Sequence, residues 1–377
     1  MTLRPFTFPD HDAVNALHRA VWWPERSAAG WRWLLANPAR TDIGAATGWV
    51  IDDRAGVPAA FVGNLIQRFW QDDVRTHGAT GFSIIVPPSV RGASRQLIRA
   101  VVSQPNVFAA YTFNANSRSA PLYSRHGLIA WPPRTHGLKL SWIIDPIDCL
   151  QGRVLREAVR WAPTLTDPYR ERFMNRRLGL PRSVRLPSKV SALSDLGDTS
   201  DYAAFWKALK CEGRLIADRS PEILRWRLSD PDQVTPPVML TFRRDGIITG
   251  YAMAMMAKAN PIEPAILEIL DLVALDGESR AIPALMQALL TQGRSLGAAK
   301  VRLQVLGEEL LRRLGPWAAG ARREGGWGHG HVRFHHDGPA HHGWSPTPFD
   351  ADHAFCQRPV PTRVGRGRSR PLAPSQA

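Results

Sequence analysis

The sequence predicts an α/β (α+β) fold built from two successive copies of one unit. Helical and strand periodicities alternate in one order over the first 150 residues, and the same order returns after residue 189. The two copies also share a local pattern, because Trp33-Leu-Leu-Ala-Asn-Pro38 and Trp226-Arg-Leu-Ser-Asp-Pro231 keep the same five-residue spacing from Trp to Pro. A chain of 377 residues has room for two domains of about 150 residues each.

In the first half the elements follow in the order strand, two helices, three strands, helix, strand, helix, strand. Asp10 is the expected N-cap of the first helix, and Asn37-Pro38 is expected to end the second. The segment Asp53-Arg-Ala-Gly56 predicts a hairpin turn, because glycine supplies a positive φ. We expect strands at 3–7, 48–51, 59–69, 81–86 and 107–113, and helices at 13–21, 31–36, 90–102 and 118–125.

The second half repeats these elements, with a hairpin turn at Asp245-Gly246. Its expected strands are 190–193, 238–243, 247–257, 266–275 and 301–306, and its expected helices are 202–209, 221–228, 282–290 and 308–314. Prolines and arginines mark the stretch between the halves. We therefore divide the chain into a first domain (1–148), a basic helical linker (149–189), a second domain (190–357) and a disordered basic tail (358–377).

The formal net charge of +15 is concentrated in two stretches. Residues 151–190 hold ten basic and three acidic side chains, and residues 358–377 hold five arginines and no acidic residue. Because the rest of the chain is nearly neutral, its folded domains are not expected to be coated for nucleic acid along their length. Nucleic acid is therefore a disfavoured partner.

No pattern typical of a disulfide framework, a metal site or a membrane span is present. The three cysteines, Cys149, Cys211 and Cys356, are far apart and lack C-x-x-C spacing. Seven histidines lie between His329 and His353, but no carboxylate or cysteine pattern at ligand spacing accompanies them, so we predict no metal. Without an apolar run of about 18 residues or a secretory signal, we expect a cytoplasmic protein that does not span a membrane.

The most informative stretch is Phe82–Leu97, where an apolar strand runs through a short loop into a helix whose start carries Arg91 and Gly92. The first N–H groups of such a helix have no intrahelical partner and lie at the positive end of its dipole. An anion such as a diphosphate binds readily there, and Arg91 would add a charge-assisted hydrogen bond.

With the pattern V-x-P-x-x-R-G in this loop, followed by Asn114-Ala-Asn116 and Leu122-Tyr123-Ser-Arg-His-Gly127, residues 1–145 resemble the GNAT (N-acetyltransferase) superfamily. The order of elements is also similar to that family's order. The resemblance implies two tandem GNAT-like domains, each a mixed, mainly antiparallel sheet flanked by helices. It also implies acetyl-CoA, or another acyl-CoA, as co-substrate.

The resemblance further assigns roles to single residues. The family's pyrophosphate loop corresponds to Arg91, Gly92, Ala93, Ser94, Arg95 and Gln96. The backbone of the preceding strand would pair with the pantetheine arm at Ile84, Ile85 and Val86, and Asn116 would reach the cofactor from the next strand. Tyr123 would be the general acid for the leaving thiolate, since a phenol with a pKa of about 10 can donate to a thiolate with a pKa of about 8.5.

Two departures from the family pattern concern this loop. Ser94 replaces a glycine, and Gln96 replaces a small residue, so its long side chain must turn away from the pyrophosphate or fill its place. In the second half, Ser279, Ile282 and Ala284 stand where Arg91, Ser94 and Gln96 stand in the first. We therefore expect the second domain to be degenerate, with the fold but without the phosphate loop.

A general base is not evident in the strand itself. Asp72, Asp73 and His77, just upstream, are candidates, and a water relay is the alternative. The segment Trp344-Ser-Pro-Thr-Pro-Phe-Asp-Ala-Asp352 is similar to a W-x-x-T-x-x-D-x-D pattern of some tandem GNAT proteins. It predicts a short strand whose acidic residues face a cationic substrate amine.

Three functions are compatible with these observations. The first is an acyl-CoA-dependent N-acyltransferase that passes an acetyl or acyl group to an amine of a small molecule or sugar, with the carbonyl oxygen held by a strand N–H. The second is a catalytically inactive GNAT-fold binding protein, which Gln96 favours. The third is an aminoacyl-tRNA-dependent transferase, for which the basic linker would bind the nucleic acid.

Overall fold

The computed structural model describes residues 2–21, 23–117, 119–162, 175, 177–178, 184–233, 235–258, 263–325, 328–335 and 343–356. The predicted tail at 358–377, three of the clustered histidines and most of the Pro/Arg-rich part of the linker lie outside the described residues.

The first half forms seven strands and six helices in the described residues. They are β1 (Thr2–Pro5), α1 (His11–Ala20), α2 (Ala28–Leu35), α3 (Pro38–Ile43), β2 (Gly48–Asp52), β3 (Pro58–Gln71), β4 (Val74–Ile85), α4 (Ala93–Val102), β5 (Ala109–Ala115), α5 (Ala120–Arg125), β6 (Ile129–Ala130), β7 (Lys139–Ile143) and α6 (Pro146–Trp161).

Two local differences from the expected elements have simple causes. Asn37 ends α2 as predicted but also begins α3, because its side-chain oxygen accepts a hydrogen bond from the Ala39 N–H and Pro38 occupies the first helical position. Strand β4 begins seven residues earlier than predicted. Asp72 and Asp73 adopt positive φ (49° and 62°) and form a two-residue turn from β3 into β4.

The second half repeats this order of elements with small differences. Its elements are β8 (Val190–Ala192), α7 (Asp201–Lys210), β9 (Ile216–Ala217), α8 (Pro221–Leu228), β10 (Val238–Arg244), β11 (Ile247–Ala257), β12 (Ile266–Ala274), α9 (Ala281–Leu296), β13 (Lys300–Leu303), α10 (Glu308–Leu314), α11 (Pro316–Ala319), β14 (Arg322–Glu324), β15 (His329–Phe334) and α12 (His353–Cys356). Relative to the first half, short strand β9 and helix α11 are added and α3 has no counterpart.

The strands form two mixed, mainly antiparallel sheets with helices against them, which confirms the predicted fold class. The first sheet has the order β1-β2-β3-β4-β5-β15-β6, with β9 paired to β3, and the second has the order β8-β10-β11-β12-β13-β7-β14. Parallel pairing occurs between β4 and β5 in the first sheet and between β12 and β13 in the second. The two orders are the same, element for element, apart from which half supplies the sixth strand.

That sixth strand is exchanged between the halves. Strand β7 of the first half pairs with β13 of the second over four residues, and β15 of the second half inserts between β5 and β6 of the first. The sheets therefore do not separate at residue 148, where the sequence-based domain division places the boundary. Neither strand is among those predicted with bounds from the sequence, and local pattern does not specify which of two equivalent sheets a strand will join.

The two sheets share one apolar core. A single buried cluster contains Phe69, Tyr111 and Phe113 from the first sheet together with Tyr251 and Met253 from the second. Helices α4 and α9 pack on their own sheets in separate clusters. No helix in the described ranges is both long and apolar enough to cross a bilayer.

Candidate active site

Strands β4 and β5 pair only at their beginnings. Their parallel ladder joins Gly78 to Ala109 and ends where Thr80 meets Tyr111. From there β4 continues to Ile85 along β3, while β5 continues to Ala115 along β15. The two strands therefore diverge beyond Thr80 and Tyr111, and we call this place the parting. Beyond Thr80, the edge of β4 that faces β5 pairs with no strand of the described residues.

A β-bulge shapes β4 just past this point. Phe61 lies opposite Ile85 and Gly63 lies opposite Phe82, so β4 has one residue more than β3 between these pairs. Ser83 takes up the extra length with a φ of 49°, which is unfavourable for a residue with a side chain. The hydroxyls of Ser83 and of Thr80 are buried and have no hydrogen-bond partner among the described residues. Unsatisfied buried hydroxyls are rare in folded proteins, and here they lie beside the parting.

The loop after β4 leads into a helix start that no side chain caps. Gly92 is the N-cap of α4 with a φ of 82°, and the helix then runs for ten residues without a side-chain cap hydrogen bond. Its first N–H groups therefore keep the capacity to bind an anion. Arg91, Arg95 and Gln96 are exposed, Ser94 is half-buried and Ala93 is buried.

Tyr123 lies on α5 and reaches the parting of the strands. Its ring is 8% exposed, and its hydroxyl hydrogen-bonds to the side chain of Thr112, the first residue of β5 beyond the ladder to β4. Burial raises the pKa of Tyr123 above its ordinary value of 10, the negative charge of Asp352 raises it further, and the Thr112 bond opposes this. The phenol is therefore protonated at neutral pH, as a general acid must be.

The remaining residues predicted to bind the cofactor differ in their exposure to solvent. Ile85 is buried and pairs with β3, whereas Ile84 and Val86 are half-buried. Asn116 is exposed and shapes the turn into α5, because its side-chain oxygen accepts a hydrogen bond from the Ser119 N–H at 3.0 Å. Asn116 therefore stabilises the turn before α5 through this hydrogen bond.

Little empty space lies beneath the parting. A cavity of about 10 Å³ is bounded by β4, β5, α4 and α5, and Tyr123 and Leu128 form part of its wall. That volume is close to the minimum for one water molecule.

The structure does not bring the upstream base candidates to the parting. Asp72 and Asp73 form the hairpin turn at the opposite end of β4, which at about 3.3 Å per residue is more than 20 Å from Thr80. His77 Nε2 lies 3.0 Å from the carboxylate of Asp42, and burial lowers its pKa. Asp72 and Asp73 thus lie at the far end of β4, and His77, three residues before Thr80, is paired with Asp42.

The segment Trp344–Asp352 does not form the predicted strand. It folds into a single 3-10 turn over Pro348–Asp350, and the carboxylate of Asp350 is fully buried. Trp344 Nε1 donates to Asp350 at 2.8 Å, and Arg219 donates to both Asp350 at 3.0 Å and Asp271 at 2.7 Å. Asp350 is thus part of a buried ion-pair network, and the expectation that it faces a substrate amine is wrong.

Asp352 differs from Asp350 in its surroundings. Its side chain is 2% exposed, and its charge raises the pKa values of both Tyr111 and Tyr123, which lie on β5 and α5. The structure therefore places this carboxylate near the parting. The W-x-x-T-x-x-D-x-D similarity identified this segment in the sequence. The contact expected for its acidic residues was a substrate amine, and not Tyr111 and Tyr123.

In the second half, a carboxylate occupies the place of the phosphate loop. Glu278 is buried, and its Oε1 accepts a hydrogen bond from the backbone N–H of Arg280 at 3.0 Å, at the start of α9. An anionic side chain at this helix start would repel a phosphate. The position of Glu278 agrees with the expectation that this half lacks a phosphate-binding loop, which stays a prediction.

A much larger cleft, of about 1070 Å³, opens beside this second loop. Its walls combine aromatic and proline side chains with charged residues of the second half. The main contributors are Trp131, Phe334, Trp344, Pro346, Arg214, Asp276, Glu278, Glu309, Arg312 and Arg313. The guanidinium of Arg313 donates hydrogen bonds to the backbone carbonyls of Ala274, Leu275 and Glu278. Arg313 thus stabilises the loop between β12 and α9.

One sequence signal for the first site was overlooked. Residues 74–144 contain no Asp or Glu and eight Lys or Arg, and this stretch spans β4, α4, β5 and α5. The net charge of the first domain does not reveal this run, because acidic residues elsewhere in the domain offset part of its positive charge. The acid-free run marks the same surface as the phosphate loop.

The clustered histidines do not form a recognisable metal centre in the described ranges. No group of three His, Cys, Asp or Glu side chains comes together there in a metal-binding arrangement. His331 instead lies on β15 opposite Thr112, with its ring centroid 6.3 Å from that of Tyr123.

Comparison of the sequence with protein-family profiles and with curated proteins finds no match. Solved structures, in contrast, match most of the chain. A conserved protein of unknown function from Enterococcus faecalis V583, provisionally designated an N-acyltransferase, aligns with a TM-score of 0.50 and 14% identity over 88% of this chain and 72% of its own.

Two further structures agree with this match. A GCN5-related N-acetyltransferase from Anabaena variabilis aligns with a TM-score of 0.50 and 16% identity over 88% of this chain and 72% of its own. A Pyrococcus horikoshii protein, provisionally designated an acetyltransferase, aligns with a TM-score of 0.51 and 11% identity over 94% and 95% of the two chains. The chain thus has the fold of these proteins, as the sequence resemblance implied.

Proposed function

We propose that this chain, whose fold is that of the GCN5-related N-acetyltransferases, is an acyl-CoA-dependent N-acyltransferase. It would transfer an acetyl or other acyl group to an amine of a small molecule or sugar. In this proposal the first half binds the acyl-CoA and carries out the transfer.

The observation that carries the proposal is the position of the Tyr123 hydroxyl. It bonds to Thr112, one residue beyond the end of the β4–β5 ladder. A thioester lying along the free edge of β4 would therefore place its sulfur near a protonated phenol. Gly92 and the uncapped start of α4 lie at the loop end of the same strand, where the pyrophosphate of CoA would bind.

The proposed chemistry divides between the backbone and two side chains. A neutral amine attacks the thioester carbonyl, and an N–H of β4 near the Ser83 bulge holds the oxygen as it becomes negative. The carbon–sulfur bond then breaks, and Tyr123 protonates the thiolate as it leaves. Asp352 would accept the proton lost by the amine, directly or through water.

The second half would support the reaction without binding a CoA of its own. The anionic side chain of Glu278 lies beside the corresponding helix start, and β15 completes the first sheet beside β5. This division of labour corresponds to the degenerate second domain expected from the sequence.

The small cavity of about 10 Å³ favours the second candidate, a GNAT-fold binding protein without catalysis. The two functions differ in a direct way. An acyltransferase releases free thiol from acetyl-CoA when an acceptor amine is present, whereas a binding protein retains acetyl-CoA unchanged.

The experiment is a thiol-release assay with acetyl-CoA and a panel of primary amines and amino sugars. We expect turnover by the wild type that depends on the amine and falls about 100-fold or more in Tyr123→Phe. Trp161→Phe, which alters a highly exposed ring, is the control and should not change the rate. Acetyl-CoA binding without turnover for any amine would support the binding protein, and absence of binding would refute both.

A further inference from the structure

An arginine stripe runs from the loop before α4 along the exposed side of the helix. Arg95 and Arg99 lie one turn apart on α4, Arg91 precedes the N-cap of the helix in the loop, and all three are exposed. Like charges at this spacing repel one another, and cations in the first turn of a helix oppose its dipole. The stripe therefore works against helix stability, which points to a role other than folding.

The arginines of this stripe are not neutralised by neighbouring acids. Elsewhere in the acid-free run, Arg75 and Arg134 each lie 3.8 Å from a carboxylate. Arg91, Arg95 and Arg99 form no ion pair with any residue that the structure describes. Their positive charge is thus available to an external anion.

A fourth arginine joins the stripe from the second half of the chain. Arg333 lies on the exchanged strand β15 and donates to the backbone carbonyl of His126 at 3.3 Å, which holds its guanidinium against the end of α5. Helix α4 packs against α5 through Ile98, Val102 and Tyr123, so its exposed arginines lie on the same surface as the end of α5 that Arg333 contacts. Burial and the charges of Arg95, Arg99 and Arg333 lower the pKa of His126 at this place.

We propose that Arg95, Arg99 and Arg333 bind the terminal phosphomonoester of CoA, the 3′-phosphate on its ribose. The inference rests on the proposed function, since it assumes that the pyrophosphate lies at the start of α4. Arg99 is about 6 Å farther along the helix than Arg95. That distance is comparable to the width of the ribose that separates the two phosphate groups of CoA.

The subsite would need both halves of the chain. Two arginines come from α4 in the first half, and the third reaches the site only because β15 is exchanged into the first sheet. A doubly charged phosphomonoester suits three convergent guanidinium groups, which can each donate two parallel hydrogen bonds.

The test compares equilibrium binding of CoA and of 3′-dephospho-CoA to the full chain by calorimetry. We expect the wild type to bind CoA at least about tenfold more tightly, since one or two charge-assisted hydrogen bonds correspond to such a ratio. In Arg99→Gln and in Arg333→Gln the ratio should fall toward one, because CoA alone loses affinity. Arg54→Gln, an exposed hairpin arginine, is the matched control and should keep the wild-type ratio.

The outcomes separate this inference from the function on which it rests. If the wild type binds both ligands equally well, the phosphate subsite is refuted while acyl-CoA binding stands. If neither ligand binds, the proposed function fails and the subsite with it. A wild-type preference that survives in both arginine variants would also overturn the assignment, because other residues would then provide it.

Discussion

Trp33 and Trp226 stack face to face and exchange hydrogen bonds. Their ring centroids are 4.4 Å apart with an interplanar angle of 5°, and each indole N–H donates to the backbone carbonyl of the other, at 2.7 Å and 3.3 Å. The two residues occupy equivalent places, since α2 and α8 begin at Ser27 and Ser220, which cap them in the same way. Equivalent surfaces of the two halves thus meet as in a symmetric dimer.

We expect this pair to couple the stability of the two halves. Trp33→Phe and Trp226→Phe should each destabilise the chain by about 1–2 kcal/mol, because each loses an indole hydrogen bond and part of the stacking. The double variant should be destabilised by about 1 kcal/mol less than the sum of the two single variants, as measured by urea denaturation. Strict additivity would show that the two rings do not interact energetically.

A backbone substitution tests the loop before α4. Gly92 and Gly44 both have positive φ, at 82° and 63°, and an added Cβ would meet no neighbour at either position. Gly92→Ala and Gly44→Ala should each lower stability by about 1 kcal/mol through strain alone. Calorimetry should show weaker acetyl-CoA binding for Gly92→Ala only. Equal affinities in the two variants would place the pyrophosphate elsewhere.

The role of Tyr123 predicts both a rate and a pH effect. Because burial and Asp352 raise its pKa above the ordinary value, the wild-type rate should not fall between about pH 7 and 9 through loss of this proton. Tyr123→Phe should lower kcat about 100-fold and leave acetyl-CoA affinity within about twofold. A variant that loses affinity and keeps kcat would show that the phenol binds the ligand and does not donate a proton.

Much of this architecture could be predicted from sequence because it is encoded locally. The Trp–Pro spacing identified the repeat, and turn signals such as Asp245-Gly246 fixed the hairpins. The exchange of β7 and β15 could not be predicted, since each strand carries a pattern that suits either sheet. The position of Asp352 near Tyr111 and Tyr123 was also beyond local pattern, because these residues are far apart in sequence.

The strand exchange predicts that the halves cannot be separated once folded. Strands β7 and β15 each form a ladder with the sheet of the other half, next to β13 and β5. We expect a chain cleaved at a protease site inserted within residues 163–174 to elute as one particle in native buffer. It should yield two fragments only in denaturant. Separation of the fragments under native conditions would contradict the exchange.

Two buried histidines predict how stability depends on pH. Burial lowers the pKa of His18 from 6.5 to about 4 and that of His353 to about 3, so both are neutral in the folded chain. Once unfolded, each binds a proton below pH 6.5, and the free energy of unfolding should therefore be unaffected by them above this pH.

As the pH falls from 6.5 toward 4, each histidine should lower the free energy of unfolding by about 1.4 kcal/mol per pH unit. Urea denaturation across this range measures the slope. His18→Gln should reduce the slope by the contribution of one histidine, whatever its effect on stability at pH 7. An unchanged slope would show that His18 does not titrate on unfolding.

Acyl-CoA binding at the parting of β4 and β5 is most directly tested by calorimetric titration of the full chain with acetyl-CoA. The account predicts one bound acetyl-CoA per chain, because the carboxylate of Glu278 beside the equivalent helix start in the second half would repel a phosphate. It also predicts an affinity that falls about tenfold in Arg91→Ala, which loses one charge-assisted hydrogen bond. No binding, two molecules bound per chain, or an affinity unaffected by Arg91→Ala would contradict it.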